Sequence, residues 1–438
     1  MNVTDMLRRI TMAKAYEFLD RDPDQNIPRL VDWLEKLDRS KDIAGPLSKL
    51  KEYADNPNSN WFRLAHSFWE DLDDNVRETL FTNFIGNDNL PSSIKLKESR
   101  KKYDCNIPWI ILLNPAASTT LQDTAGPENL SFDEMDAIVE QGKALGTYFY
   151  GFFGGEPLTR RNELIALGNK HADCVFLVFT NGELVDADLA KDLLRVKNMV
   201  PVLCLKEINS REVHTNWGNI SKAMEALRAA RLLFGVSVCY DRYNCQTLGS
   251  ERFFDQMIAA GVKFAWFFTY LPLGREGDSS RMVTAEQRAY MYHQIREFRK
   301  DKPLFTIDLW NDGEFMGGCV AGGRRYCHIN ACGDVEPCVF THYSDSNIRS
   351  KTLLESYRSP LFMEYYSQQP FQPNPLRACP LLDNPNKLKE LVEIAHAYST
   401  NPGGTENVNE LAQKCEAHAQ AWAPIAEQLW QESRKRNV

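Results

Sequence analysis

"TYFYGFFGGEP", residues 147–157, runs from a short, largely aromatic stretch straight into a turn made of two glycines, a glutamate and a proline. A brief apolar run closed by such punctuation reads as a buried strand leaving a sheet. The same unit recurs on both sides of it. Strand-sized runs appear at "WIILLN" (109–114), "CVFLVFT" (174–180), "VPVLCL" (200–205), "LFGVSVC" (233–239) and "KFAWFFTY" (263–270). Amphipathic helical stretches separate them, near 131–145, 160–170, 186–196, 219–231, 250–261 and 284–299. The first helix is well punctuated: Ser131 as N-cap, Glu134 closing a capping box and Gly146 as terminator. Six βα units repeating about every thirty residues imply a parallel sheet with helices outside. Two further units, needed for a full eight-fold barrel, are not evident, so the expected class is α/β, a partial (β/α)6 TIM-like barrel. Ligands in such folds sit at the C-terminal ends of the strands, so the turns after them are the segments to read for function.

The flanks differ. Residues 1–104 read as an N-terminal helical region, with "PRLVDWLEKL" (28–37) and "WFRLAHSFWEDL" (61–72) carrying apolar residues at helical spacing. The barrel is expected over 105–304. A small Cys-rich domain is expected over 305–395, and a C-terminal helix over 396–438, in which Trp422 and Trp430 are expected to dock. Within the third region, "RRYCHINACGDVEPCVF" (324–340) reads as a hairpin with "ACGD" at its turn.

Composition bounds the function. The chain has 438 residues, 43% hydrophobic and 25% charged, with a net charge of −8. That balance argues against nucleic acid, which needs a basic face; "GGRR" (322–325) is too small to reverse it. No run approaches a membrane span. The first residues mix charges throughout and lack a signal peptide's apolar core, so a cytoplasmic protein is expected. Eleven cysteines in that setting read as free thiols or metal ligands rather than a disulfide framework. None lies between Cys105 and Cys174, while four crowd into 319–338.

The βα order, "GGEP" after the second strand and the glycine-cysteine hairpin together make the chain, over about 105–395, similar to the radical SAM superfamily, and within it to members with a SPASM or twitch extension. The resemblance implies a C-x3-C-x2-C loop after the first strand, whose three thiolates hold a 4Fe-4S cluster; the open fourth iron binds S-adenosylmethionine, and an electron from the cluster makes a 5′-deoxyadenosyl radical. Here the corresponding run is "PAASTTLQDTAGPENLSFDEMD" (115–136). Aligned on Pro115 and Leu121, it puts Thr119, Asp123 and Gly126 where the cysteines belong. One carboxylate does not replace three thiolates. The expectation is therefore a radical SAM-fold homologue that lacks the site-differentiated cluster and radical initiation. It would act as a pseudoenzyme that partners an active radical SAM or other enzyme, or as a binder of a small-molecule ligand. An enzyme of changed chemistry, working on SAM or another small ligand at the barrel mouth, is the alternative.

The cofactor-binding candidates implied by the resemblance are Gly154, Gly155, Glu156 and Pro157, with Thr119 and Asp123 in the emptied loop. A purely structural turn reads equally well for the first four. Cys319, Gly333 and Cys338 match C-x13-G-x4-C, the opening half of the SPASM or twitch pattern, and Cys379 follows alone. Cys319, Cys338 and Cys379 are the metal candidates, with Cys327 or Cys332 as a fourth. An auxiliary 4Fe-4S cluster, a zinc site and free buried thiols are all open at this point. His328, beside Cys327, reads as structural.

Overall fold

The structure is a computed structural model and describes residues 13–37, 51–52, 55–84, 91–116, 129–205, 217–401 and 406–436. Its centre is a nine-stranded sheet. The strands are β1 (Ile110–Leu113), β2 (Phe149–Phe152), β3 (Val175–Thr180), β4 (Met199–Leu205), β5 (Gly235–Tyr240), β6 (Phe264–Thr269), β7 (Phe305–Asp308), β8 (Tyr326–Ile329) and β9 (Val335–Glu336), in the order β7-β6-β5-β4-β3-β2-β1-β8-β9. All neighbours are parallel except β8 and β9. The helices Phe132–Leu145, Arg161–Lys170, Ala187–Val196, Trp217–Ala229, Glu251–Ala259 and Ala285–Asp301 follow the first six strands in turn, so the six expected βα units are present.

The first helix begins with the expected capping box: the Ser131 hydroxyl accepts from Glu134 N at 3.2 Å, and the Glu134 carboxylate accepts from Ser131 N at 2.7 Å. It stops at Gly146, whose φ of 106° suits a residue without a side chain.

The sheet runs across the boundary expected at 304/305. β7 adds a seventh parallel strand beyond β6, and the cysteine-rich hairpin β8–β9 pairs with β1 at the other edge. "FTID" is four residues long and carries no periodicity, which is why it was not legible as a strand. The chain then closes the concave face with a side chain instead of a ladder: Phe340, after β9, meets Phe268 of β6 at 5.6 Å and Trp310, after β7, at 5.0 Å. One apolar cluster runs from Val76 to Cys415, through the N-terminal helices, the sheet and the C-terminal third.

The C-terminal helix Val408–Arg436 docks on Ala285–Asp301 and on the turn at Leu376. Trp422 is fully buried there, and its indole N–H donates to Leu376 O at 2.8 Å. Trp430 packs at the margin of the same cluster. Beneath lies a buried polar network. Arg288 pairs with Asp383 at 2.6 Å and lies 4.2 Å from the Trp422 ring centre, and the Tyr240 hydroxyl and Asn311 amide donate to Asp308 at 3.2 and 2.7 Å. Burial pushes the Asp308 carboxyl up to about 7, the nearby Asp312 charge adds to this, and Asn311 and Arg288 oppose it. The folded state thus keeps a proton that the unfolded chain releases near pH 4. The Asp308 contribution to stability is present below that pH and is lost as pH rises towards about 7. The stability difference between wild type and Asp308→Asn, measured by urea unfolding from pH 4 to 8, is expected to move towards the variant across that window and to be level above it.

Candidate functional site at the C-terminal ends of the strands

Strand alternation decides what faces the concave side. Phe179 of β3 meets Trp266 of β6 at 5.3 Å although two strands separate them, so both point inwards. By register the same face carries Leu112, Gly151, Cys204, Ser237, Phe268 and, through β8, Tyr326 and His328. Gly151 is matched to this crowding: a Cβ there would lie 2.7 Å from Leu112 Cδ2. Trp266, Phe268 and Phe340 are each half-buried, leaving part of their surface open.

At the mouth, Gly154 and Gly155 have φ of 103° and 58°, and a Cβ on Gly154 would lie 2.7 Å from the Asn114 amide. The two glycines therefore let the turn pass close against the exit of β1. Glu156 is buried, and its carboxylate accepts from Leu158 N at 3.1 Å and Asn181 N at 2.8 Å. It caps the short helix Pro157–Arg160 and ties the β2 turn to the end of β3, with Pro157 at the first helical position. Each carboxylate oxygen thus accepts from a backbone N–H of a different turn.

Thr119 and Asp123 lie outside the described residues, as does the rest of 117–128. The ends of that loop are held firmly. The Arg160 guanidinium donates to Pro115 O at 2.5 Å and to Leu130 O, and Arg349 reaches Asn129 O at 3.3 Å, Glu134 at 2.7 Å and Cys332 O at 3.1 Å.

The cysteines separate by strand face. Cys327 is fully buried on the outer face of β8, 3.7 Å from the Tyr357 hydroxyl. Tyr326 points the other way, its hydroxyl 3.0 Å from Cys338 Sγ. Cys332 sits at the hairpin turn beside Arg349. Neither Cys327 nor Cys332 is placed with the other three. Cys319, Cys338 and Cys379 are near enough for their charges to interact: burial raises all three thiols, Cys379 to about 12, and the neighbouring cysteines push Cys319 and Cys379 further up. Backbone N–H groups already point at these sulfurs, from Phe340 to Cys338 at 3.5 Å and from Leu382 to Cys379 at 3.3 Å. Cys415, on the C-terminal helix, is fully buried, and its thiol is raised by burial and by Cys379. Nothing in the sequence marks it, because it lies far downstream of the other cysteines with no recognisable spacing to them. Among the described residues, no group of three or more His, Cys, Asp or Glu side chains lies close enough to hold a single metal ion.

His328 is not an isolated strand histidine. Its Nδ1 lies 2.7 Å from the Glu336 carboxylate, across the β8–β9 pair, and His342 Nδ1 lies 3.4 Å from the same oxygen. Asn330 and Thr400 donate to the other oxygen at 3.1 and 2.6 Å. Burial alone would raise the Glu336 carboxyl, but the two histidines outweigh it and hold it at about 2.

No helix among the described residues is long and apolar enough to cross a membrane. No protein-family model matches the chain. Two curated relatives do, each an AdoMet-dependent heme synthase. The protein of Nitratidesulfovibrio vulgaris is 24% identical over 284 residues, 56% of this chain and 75% of the relative. That of Oleidesulfovibrio alaskensis is 23% identical over 280 residues, 55% of this chain and 69% of the relative. In structure, the chain resembles Streptococcus suis SuiB bound to its precursor peptide SuiA, with a TM-score of 0.50 and 15% identity over 62% of this chain and 70% of that one.

Proposed function

We propose that this chain, which belongs to the radical SAM superfamily, works without the radical-initiating cluster of that family, as a partner or ligand-binding protein. One observation carries the reading. The loop after β1 has no cysteine, and the two cysteines that bracket it in sequence lie at the wrong end of the barrel: Cys105 precedes β1 and Cys174 precedes β3, whereas the loop leaves from the C-terminal ends. Three thiolates at the mouth are the minimum for the SAM-binding cluster. The donor set does not fit it. Glu156 supports the same reading, since its oxygens are engaged by backbone N–H groups.

The second site is different. Cys319, Cys338 and Cys379 are soft donors on half-buried residues near enough for their charges to interact, backbone N–H groups are directed at the sulfurs of Cys338 and Cys379, and Cys415 stands beside Cys379. Their chemistry suits an auxiliary iron-sulfur cluster, whose ligands stand further apart than those of one ion; zinc, the alternative, would need the thiols drawn closer than they lie here. A bound cluster would supply an electron-transfer centre or a structural clamp between the hairpin and the C-terminal third.

The test is direct. Purified anaerobically and given SAM with a strong reductant, the protein is expected to form no 5′-deoxyadenosine and to contain about four irons and four sulfides per chain. Formation of 5′-deoxyadenosine, or about eight irons with an EPR spectrum that shifts on adding SAM, would overturn the reading.

A further inference from the structure

We propose that the imidazole of His328 forms the polar end of a ligand site on the concave face of the sheet, and that the ligand is a flat aromatic molecule carrying a hydroxyl group. The proposal rests on the reading above only in taking the barrel interior as a ligand site.

Three observations place the site. First, the register pairs His328 with Leu112, whose neighbour Gly151 faces Phe179 inside the barrel, so the imidazole lies on the concave face one residue from the C-terminal end of β8. Second, the ring is held at one nitrogen only. Nδ1 is fixed by Glu336 at 2.7 Å, while Nε2, on a side chain 4% exposed, meets no hydrogen-bond partner. A buried ring nitrogen left unpaired costs free energy that an incoming polar group recovers. Third, the same face carries the buried Phe179 with Trp266 and Phe268, and Phe340 packs against Phe268; these rings meet edge-on or tilted, and Trp266, Phe268 and Phe340, each half-buried, keep part of their surface open. Flat rings stack on such surfaces, and the few polar groups of an apolar pocket set the orientation of what binds there.

The hydroxyl follows from the imidazole itself. Neutral, with its proton on the Glu336 side, the ring presents a lone pair at Nε2; protonated, it presents an N–H. A hydroxyl donates to the first and accepts from the second, so the match holds in either form. The carboxylate holding Nδ1 keeps Nε2 directed at one place, as the orienting partner of a histidine does elsewhere.

The probe is 2-naphthol, compared with naphthalene, which keeps the rings but can neither donate nor accept a hydrogen bond. Isothermal titration of the full chain is expected to show saturable binding of 2-naphthol, about tenfold tighter than naphthalene, as one hydrogen bond to a buried ring nitrogen provides. His328→Phe, which keeps a ring at the position, is expected to abolish that preference, and Trp266→Leu to weaken both probes. Absence of saturable 2-naphthol binding, or an unchanged preference in His328→Phe, would overturn the proposal. If that variant does not fold, 15N-histidine-labelled wild type decides: one imidazole Nε2 resonance shifts on adding 2-naphthol, and no shift refutes it. Formation of 5′-deoxyadenosine would leave these results untouched, so the two readings fail separately.

Discussion

Replacing Arg288 by methionine is expected to lower unfolding free energy by about 3–5 kcal/mol. The pair it forms with Asp383 is wholly inaccessible at both side chains. Removing one partner strands a charge in low dielectric, which costs far more than an exposed pair contributes. Arg288 also donates to Asn311 Oδ1 at 3.0 Å and lies over the Trp422 ring, so its loss loosens the seat of the C-terminal helix. Asp383 makes the effect reach further, because its second oxygen accepts from Cys379 N at 2.9 Å. Urea unfolding monitored by tryptophan fluorescence measures the loss. The double variant Arg288→Met/Asp383→Leu should recover much of it, since an apolar pair leaves no buried charge. A single variant as stable as wild type would mean that Asp383 is neutralised by other means.

Removal of Cys338 is the second large effect. Cys338→Ala is expected to abolish the iron retained after anaerobic purification, and Cys319→Ala and Cys379→Ala to do the same. Cys327→Ala and Cys332→Ala should leave iron content at the wild-type value. The contrast follows from strand geometry. Tyr326 and Cys327 are adjacent on β8 and point to opposite faces; Tyr326 meets Cys338 while Cys327 meets Tyr357. Iron and acid-labile sulfide analysis of the five variants checks it. Loss of iron in Cys327→Ala would place that thiol in the metal set, and about one zinc per chain without iron would replace the cluster by a zinc site.

Much of this protein was legible without coordinates. The six βα units, the cap at Ser131, the stop at Gly146 and the hairpin turn all follow from short-range signals: apolar period, capping side chains and turn glycines. The absence of cysteine between 105 and 174 is likewise a property of composition alone. These features depend on residues close in the chain, where local sterics and hydrogen bonding decide the outcome.

The rest required the third dimension, because it depends on which distant residues meet. Four residues at 305–308 form a strand only because β6 offers a parallel edge, and 326–329 joins the same sheet only because β1 has one free. Glu156 reads from sequence as a possible ligand group; its burial and its two backbone donors are consequences of β2 and β3 lying side by side. Spacing does not say which of the five cysteines lie near one another, since that depends on strand face and on the approach of segments 319, 338 and 379. Cys415 and His328 are the sharpest cases. One is brought to Cys379 by a helix that docks from the far end of the chain, and the other acquires an oriented imidazole only when β9 sets Glu336 across from it.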